Sequence, residues 1–152
     1  MTPKRKAAAM LAAVLLALAA LTGCGLLDGV NETIGYVNDA TGYINEATAF
    51  VSGAASLAEQ AVMDEKAREQ LRAKLAEMKA SIAEFNRIEP PEFAKSIHRQ
   101  LVEHNEALRI KLDAYSEQIR SGNWSWSGSG IAEAVAPITA LLDKIKELRP
   151  AP

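Results

Sequence analysis

The residues from Gly29 to Val62 repeat a seven-residue pattern, which constrains the fold more than any other part of the sequence. Two consecutive copies read GYVNDAT and GYINEAT. A strict seven-residue period is typical of a helix that packs one face against partners, so we predict one long α-helix over residues 28–61. β-Branched residues recur at one position of the repeat, aromatic residues at a second and alanines at a third: Val30, Val37, Ile44 and Val51; Tyr36, Tyr43 and Phe50; and Ala40, Ala47, Ala54 and Ala61.

The polar residues of this repeat fall on the side that faces away from the seam. If Val37 and Ile44 occupy heptad position a, the alanines occupy position d and the aromatic residues flank the seam at position g. Asparagines then occupy position b and acidic residues position c: Asn31, Asn38 and Asn45, followed by Glu32, Asp39 and Glu46. Such oxygen-bearing side chains suit calcium, but here they recur about every 10.5 Å along the helix instead of converging. We interpret them as a solvent-exposed face.

Three more amphipathic segments follow the repeat, and they predict helices over residues 65–88, 91–120 and 131–148. Four amphipathic helices joined by short connections predict an all-α fold, an elongated up-down-up-down four-helix bundle with coiled-coil-like heptads. Their apolar residues recur in steps of three and four along most of each segment: Leu71, Leu75, Met78, Ile82 and Phe85; Ile97, Leu101, Leu108, Leu112, Tyr115 and Ile119; and Ile131, Val135, Ile138, Leu142 and Ile145.

The signals for the helix boundaries differ in strength. Pro90 and Pro91 end the second helix and open the third, because proline lacks a backbone N–H and restricts the residue before it. Asp64 is suited to cap the second helix. No glycine or proline separates the first two helices, so a single continuous helix of about 60 residues stays open as an alternative. Pro137 is expected either to kink the fourth helix or to mark its start.

The N-terminus has the pattern of an export signal. Basic residues at positions 4–6 precede an apolar stretch, residues 7–20, that is shorter than the roughly 20 residues of a membrane-spanning helix. Leu21-Thr22-Gly23-Cys24 follows, and it resembles the lipobox of bacterial lipoproteins at all four positions. The resemblance implies recognition of Leu21, Thr22 and Gly23 by a signal peptidase, cleavage before Cys24 and a diacylglyceryl group on the Cys24 sulfur. The expected parts are therefore a signal peptide (1–23), a lipidated anchor (24–27) and a helical domain (28–149).

The charge distribution argues against two kinds of partner. The chain has 17 Lys and Arg and 19 Asp and Glu residues, and three basic residues lie in the signal peptide, so the mature chain has a net charge of −5. Nucleic-acid binding usually needs a basic face, which this composition does not favour. Between Asp28 and Asp64 there is no Lys or Arg, so the first helix is not expected to lie along an anionic membrane surface.

The sequence contains no recognisable catalytic or metal-binding motif. A nucleophile elbow, a phosphate-binding loop and a dinucleotide-binding glycine motif are all missing. His98 and His104 are six residues apart and fall on different faces of a helix. The di-iron bundle motif would need a Glu three residues before one of them, where the chain has Lys95 and Leu101. We predict that the protein is not an enzyme and holds no metal ion or cofactor.

Two groups of residues are candidates for binding. His104 or Asn105 fills a polar step in the seam of the third helix and is expected to form a polar pair in or beside the core. Trp124 and Trp126 lie in the loop after it, where they either cap the open end of the bundle or contact an outside partner. A pocket for a small ligand, if the bundle has one, is expected to be lined by Tyr36, Tyr43, His104 and Tyr115.

With these motifs in view, the chain resembles a family of small lipoproteins of Gram-positive, Bacillus-like bacteria whose function is unknown. The resemblance rests on the lipobox, the YVNDAT and YINEAT heptads and the later segments AEQAV and LAEMKASIAEFN before the two prolines. It implies a location at the outer face of the cytoplasmic membrane, held there through the lipid on Cys24. It supplies no catalytic residues. The function we expect is an interaction or structural module of the cell envelope with an envelope protein as partner, and small-ligand binding is the alternative.

Overall fold

The computed structural model describes residues 23–149, with side chains from Gly29 onward. The signal peptide up to Thr22, including Leu21, and the side chain of Cys24 lie outside the described residues. The helices are α1 (Gly23–Gln60), α2 (Glu65–Phe85), α3 (Lys95–Ser121), α4 (Ile131–Ala140) and α5 (Leu142–Glu147), and a 3₁₀ turn (Glu92–Ala94) precedes α3. Residues 23–149 contain no β-strand, so the all-α prediction is confirmed.

The helices alternate in direction around one apolar core. Tyr43 in α1 stacks on Phe85 at the end of α2, which makes these two helices antiparallel. Tyr36 and Tyr43 contact successive heptads of α3 in the same order, so α3 runs parallel to α1. Thr48 pairs with Thr139, and Asn38 with Arg149, so α4 and α5 together run antiparallel to α1 and form the fourth helix. The up-down-up-down bundle is therefore confirmed. None of the described helices is apolar enough over a sufficient length to cross a membrane.

Burial along α1 follows the heptad prediction. Val37 and Ile44 at position a and the four alanines at position d are buried, whereas the asparagine and acidic columns are exposed. The aromatic residues at position g are buried as well. They are buried because a helix in a four-helix bundle contacts two neighbours and needs a wider apolar stripe than a two-stranded coiled coil. Alanine at position d lets the other helices approach α1 closely.

The first two helices are separate, which excludes the continuous alternative. Both Met63 and Asp64 donate their backbone N–H to the carbonyl of Gln60, which closes a turn at the end of α1. Asp64 then adopts an extended conformation, and its carboxylate accepts a hydrogen bond of 2.8 Å from the N–H of Lys66. This side chain satisfies one of the unpaired donors of the first turn of α2, as the sequence predicted.

Two predicted boundaries beside the prolines need correction, and one alternative for Pro137 is excluded. The second helix ends at Phe85 instead of residue 88, and the third begins as a 3₁₀ turn before Lys95 instead of an α-helix at residue 91. Pro90 and Pro91 restrict the backbone beside them to extended conformations. The connection between α2 and α3 is therefore longer than the sequence predicted. Pro137 is not the start of the fourth helix, because α4 begins six residues earlier. The helix is interrupted at Leu141, whose N–H bonds to the carbonyl of Ile138, three residues before it.

The exposed glycines of α1 should weaken that helix. Gly42→Ala is expected to raise the free energy of unfolding by about 1 kcal/mol, because alanine has the higher helix propensity. The added methyl group meets no atom within 4 Å. Gly53→Ala is the matched control, since its methyl group would lie 2.7 Å from Cε of Lys74 and would displace that side chain. Urea unfolding followed by circular dichroism measures both changes, and an equal gain at the two positions would contradict this account.

Candidate functional site

A buried layer of polar side chains lies in the half of the bundle nearer the N-terminus of α1. We call Tyr36, Tyr43, Asn86, His98 and Asn105 the polar layer. The Tyr36 hydroxyl lies 3.2 Å from Nδ1 of His98. The Tyr43 hydroxyl donates a hydrogen bond of 2.5 Å to Oδ1 of Asn105, whose Nδ2 donates one of 2.8 Å to Oδ1 of Asn86. The layer thus connects α1, α3 and the connection that follows α2.

The two tyrosine contacts have the same spacing in sequence. Each joins residues 62 positions apart, so the heptads of α1 and α3 stay in phase over at least two layers. His98 and Asn105 are seven residues apart, as are Tyr36 and Tyr43. The same spacing assigns the next layer to Phe50 and Leu112, where both residues are apolar and buried. The contacts between α1 and α3 are therefore polar near the N-terminal ends of these helices and apolar farther along them.

Aromatic packing keeps the polar layer uncharged. Phe85 stacks on Tyr43 with ring centroids 4.4 Å apart, and its other neighbour is the His98 ring at 5.1 Å. Burial raises the pKa of Tyr36 to about 12. Burial, together with the negative charge of Glu46, also raises the pKa of Tyr43. Burial lowers the pKa of His98, because the charged imidazolium is poorly solvated there. At neutral pH the layer consists of neutral hydrogen-bonding groups.

The sequence prediction for this region was half right. Asn105 is fully buried in the core, as expected, but His104 beside it is only half-buried and does not belong to the layer. The histidine that faces α1 is His98, to which the sequence motifs assign no role. Its seven-residue distance from Asn105, matched by the two tyrosines, is the signal that could have identified it.

The predicted ligand pocket is not formed by its four residues. Tyr36 and Tyr43 bond to α3, and Tyr115 is fully buried with its ring edge-on to Trp126, while His104 lies outside this core. Beside the polar layer, with Tyr36 in its wall, an open cleft of about 460 Å³ separates α1 from the connection between α2 and α3. Its lining is acidic and apolar: Glu32, Gly35, Tyr36, Asp39, Ile88, Glu89, Pro90 and Pro91. No three His, Cys, Asp or Glu residues of the described chain are grouped so that they could hold a metal ion.

The tryptophan loop, residues 122–130, is fixed at both ends by glycines with left-handed backbone conformations. Gly122 has φ 80°, and Asn123 donates its N–H to the carbonyl of Gln118, which closes the end of α3. Gly130 has φ 68° and precedes α4. The Ser129 hydroxyl accepts a hydrogen bond of 3.2 Å from the N–H of Ile131. These contacts hold the loop across the end of the bundle opposite to the start of α1.

Both tryptophans pack against the core, so they cap this end of the bundle. Trp126 lies edge-on to Tyr115 at 5.6 Å and to Phe50 at 6.4 Å. The Trp124 ring lies under the guanidinium of Arg68, 5.0 Å from its centroid. Arg68 also donates a hydrogen bond of 3.1 Å to the carbonyl of Ala61. One arginine of α2 therefore links the end of α1 to the loop after α3.

Apolar surface remains exposed beside this cap. We call Val62, Met63 and Trp124 the distal apolar surface. Met63 is 92% exposed, and Val62 is also exposed, in the turn between α1 and α2. Two open clefts, of about 330 and 360 Å³, both include Val62 and Trp124 in their linings. Val62 lies beside Trp124 in both clefts, and Met63 follows it in the chain. Methionine and tryptophan are enriched at protein contact sites.

The fold and these two sites define a small all-α bundle with a polar layer in its core and a tryptophan cap at one end. A family model described as a family of unknown function (DUF6376) matches residues 36–148, and the chain belongs to this family. The chain is 35% identical to the uncharacterized lipoprotein YybP of Bacillus subtilis (strain 168) over 129 residues, an alignment that covers 83% of this chain and 87% of that protein. No solved structure matches. The resemblance to lipoproteins of unknown function is thus confirmed.

Removing Asn105 tests whether the polar layer stabilises the bundle. Asn105→Ala is expected to lower the free energy of unfolding by about 3 kcal/mol, because the Tyr43 hydroxyl and the Asn86 side chain both lose their partner. The neighbouring variant His104→Ala is the control, and its effect should stay within about 0.5 kcal/mol. Chemical denaturation of both variants gives the comparison. Similar losses at the two positions would show that the layer has no special role.

The lowered pKa of His98 predicts a pH dependence of stability. His98 binds a proton more tightly in the unfolded chain than in the folded chain. Protonation of His98 therefore lowers the free energy of unfolding below the ordinary histidine pKa of about 6.5. The free energy of unfolding should therefore fall as the pH drops from about 7 to about 5. His98→Asn should remove most of this slope, whereas His104→Ala should keep it. Denaturant midpoints measured across this pH range test the prediction, which fails if both variants have the same slope.

Proposed function

We propose that the protein is a lipid-anchored component of the extracytoplasmic membrane face and acts as an interaction or structural module of the cell envelope. Its similarity to a lipoprotein supports the anchor. So does the Leu-Thr-Gly-Cys sequence, in which Cys24 is the chain's only cysteine. In this proposal a signal peptidase recognises residues 21–23, and a diacylglyceryl group on the Cys24 sulfur holds the mature chain at the membrane.

The unbroken course of α1 is the observation that carries the proposal. This helix runs from Gly23 to Gln60, a total of 38 residues. With a rise of 1.5 Å per residue, it is about 57 Å long. Between Cys24 and the seam that enters the core, the backbone is helical throughout. A lipid on Cys24 would therefore be connected through rigid backbone to the whole bundle.

In this proposal the distal apolar surface lies well away from the anchor. Trp126 packs against Phe50, which is 26 residues after Cys24, or about 39 Å along the helix axis. The exposed Val62 and Met63 lie at this same end. A protein held in this way presents Val62, Met63 and Trp124 beyond the lipid headgroups, where an envelope protein can reach them.

An interaction module also agrees with the state of the core. The side chains of the polar layer bond to one another, and the tyrosine rings pack against neighbours. The proposal therefore assigns no catalytic step and no cofactor to the protein. It assigns the contact with a partner to the distal apolar surface instead of the interior.

Site-specific crosslinking in intact cells tests the proposal. A photoreactive amino acid replaces Met63 in the distal apolar surface, and in a second strain it replaces Ile110, which is 54% exposed in the middle of α3. We expect one envelope protein to be captured reproducibly from position 63 and not from position 110. The same crosslink should be strongly reduced in a Cys24→Ala background, since this variant lacks the lipid attachment site.

Two results would contradict the proposal. If both positions capture the same proteins, the distal apolar surface is not a specific contact. If the Cys24→Ala variant remains in the membrane fraction and forms the same crosslink, the lipid is not what places the protein there.

A further inference from the structure

The apolar seam of α1 extends farther toward the anchor than the helices that cover it. Val37, at heptad position a, is fully buried, but Val30, one heptad earlier, is 39% exposed. Ile34, between them, is 41% exposed. Val30 and Ile34 are four residues apart and therefore lie on the same side of the helix. Val30 continues the repeat but is partly uncovered, and Ile34 lies beside the seam, whereas Thr33 at position d between them is still buried.

Phe93 adds a third exposed apolar side chain at the same end. Phe93 is five residues before His98, and Val30 is six residues before Tyr36, which contacts His98, so both residues precede that contact at the end of the bundle nearer Cys24. Phe93 lies in the 3₁₀ turn before α3 and is 48% exposed. We call Val30, Ile34 and Phe93 the proximal apolar patch. It comes from two elements that lie at the same end of the bundle.

The distance from Cys24 places this patch beside the membrane. Val30 is six residues and Ile34 ten residues after Cys24 on one continuous helix, or about 9 and 15 Å along its axis. The headgroup region of each leaflet is only about 5–8 Å thick. If α1 stood perpendicular to the bilayer, Ile34 and Phe93 would stay in water. If the bundle leaned toward the patch, all three side chains would reach the interface.

We propose that the proximal apolar patch rests on the bilayer interface and that the lipidated bundle is tilted toward it. This inference rests on the proposed lipid at Cys24. The occupant is lipid, because the patch begins within one heptad of the lipid attachment site and continues the apolar face of the anchoring helix. Apolar side chains of membrane-surface helices enter the boundary between headgroups and acyl chains in this way.

The charges near the patch limit how the contact is made. Glu32 and Glu92 are exposed at this end, and Glu92 is paired with Lys95. Glu89 lies in the connection just before the two prolines. These carboxylates oppose close contact with anionic headgroups. The lipid on Cys24 therefore supplies the attachment and the patch supplies the orientation. Zwitterionic lipid is the bilayer on which the contact should be closest.

A single-thiol labelling experiment on the full mature chain tests this orientation. If the Cys24 sulfur carries a diacylglyceryl group, Phe93→Cys introduces the only free thiol of the chain. An environment-sensitive fluorophore is attached there, and the acylated protein is reconstituted into phosphatidylcholine vesicles containing brominated acyl chains. Ile110→Cys is the matched control, since Ile110 is 54% exposed against 48% for Phe93 and lies in mid-bundle. Met63→Cys reports on the distal end. All three positions are exposed, so labelling leaves the core intact.

We expect a blue shift and quenching by brominated lipid for the label at position 93, and water-like emission without quenching at positions 110 and 63. Equal emission at positions 93 and 110 in protein that floats with the vesicles overturns the tilted orientation while leaving the anchor intact. Quenching at position 63 also overturns it. If the unmutated chain from cells reacts with the thiol reagent, Cys24 is not acylated. The proposed function then fails, and this inference fails with it.

Discussion

The hydrogen bonds from Tyr36 and Tyr43 to α3 are the constraint on which the rest of the bundle depends. An apolar seam alone tolerates a shift of one heptad, since valine, isoleucine, leucine and alanine pack against one another in several registers. Two hydroxyls that need buried partners tolerate it less well, because a one-heptad shift can pair at most one of them and leaves the other without its partner. Tyr43 with Asn105, and Tyr36 with His98, therefore select a single alignment of α1 and α3. The exposed ends and the position of the tryptophan cap follow from that alignment.

Most of the fold could be predicted from the sequence, and the reason is periodicity. Burial repeats with the heptad in α1, so the repeat alone assigns most exposed and buried positions of that helix, with Val30 and Val51 as exceptions in the column of Val37 and Ile44. The exact helix ends near Phe85 and Lys95 could not be predicted, because they depend on where the two prolines allow the chain to turn back. The contact of Arg68 with Trp124 and the carbonyl of Ala61 was also beyond the sequence, since it joins three segments that only the packed bundle brings together.

The candidate sites differ in how much of them the sequence determines. The proposed lipobox is predicted from four adjacent residues and needs no tertiary structure. The polar layer needs the phase between two helices, which is why the sequence pattern leaves His104 and Asn105 as alternatives and assigns no role to His98. The apolar patches at the two ends depend on where partner helices stop, and only the structure reveals that Val30 and Ile34 extend past their neighbours. The two ends are thereby assigned different neighbours, with lipid proposed at one and protein at the other.

The long spacing between contacting residues has a consequence for how this chain is made. Tyr36 contacts His98, which is 62 residues later in the chain, and Asn38 contacts Arg149, which is 111 residues later. The glycines of α1 make it a weak helix on its own, because its stability comes from packing. Because the chain is synthesised from its N-terminus, nearly its whole length has to be made before the seam of α1 can be fully buried. Burial of the α1 seam thus depends on late parts of the chain, which would keep the chain unfolded during the export proposed above.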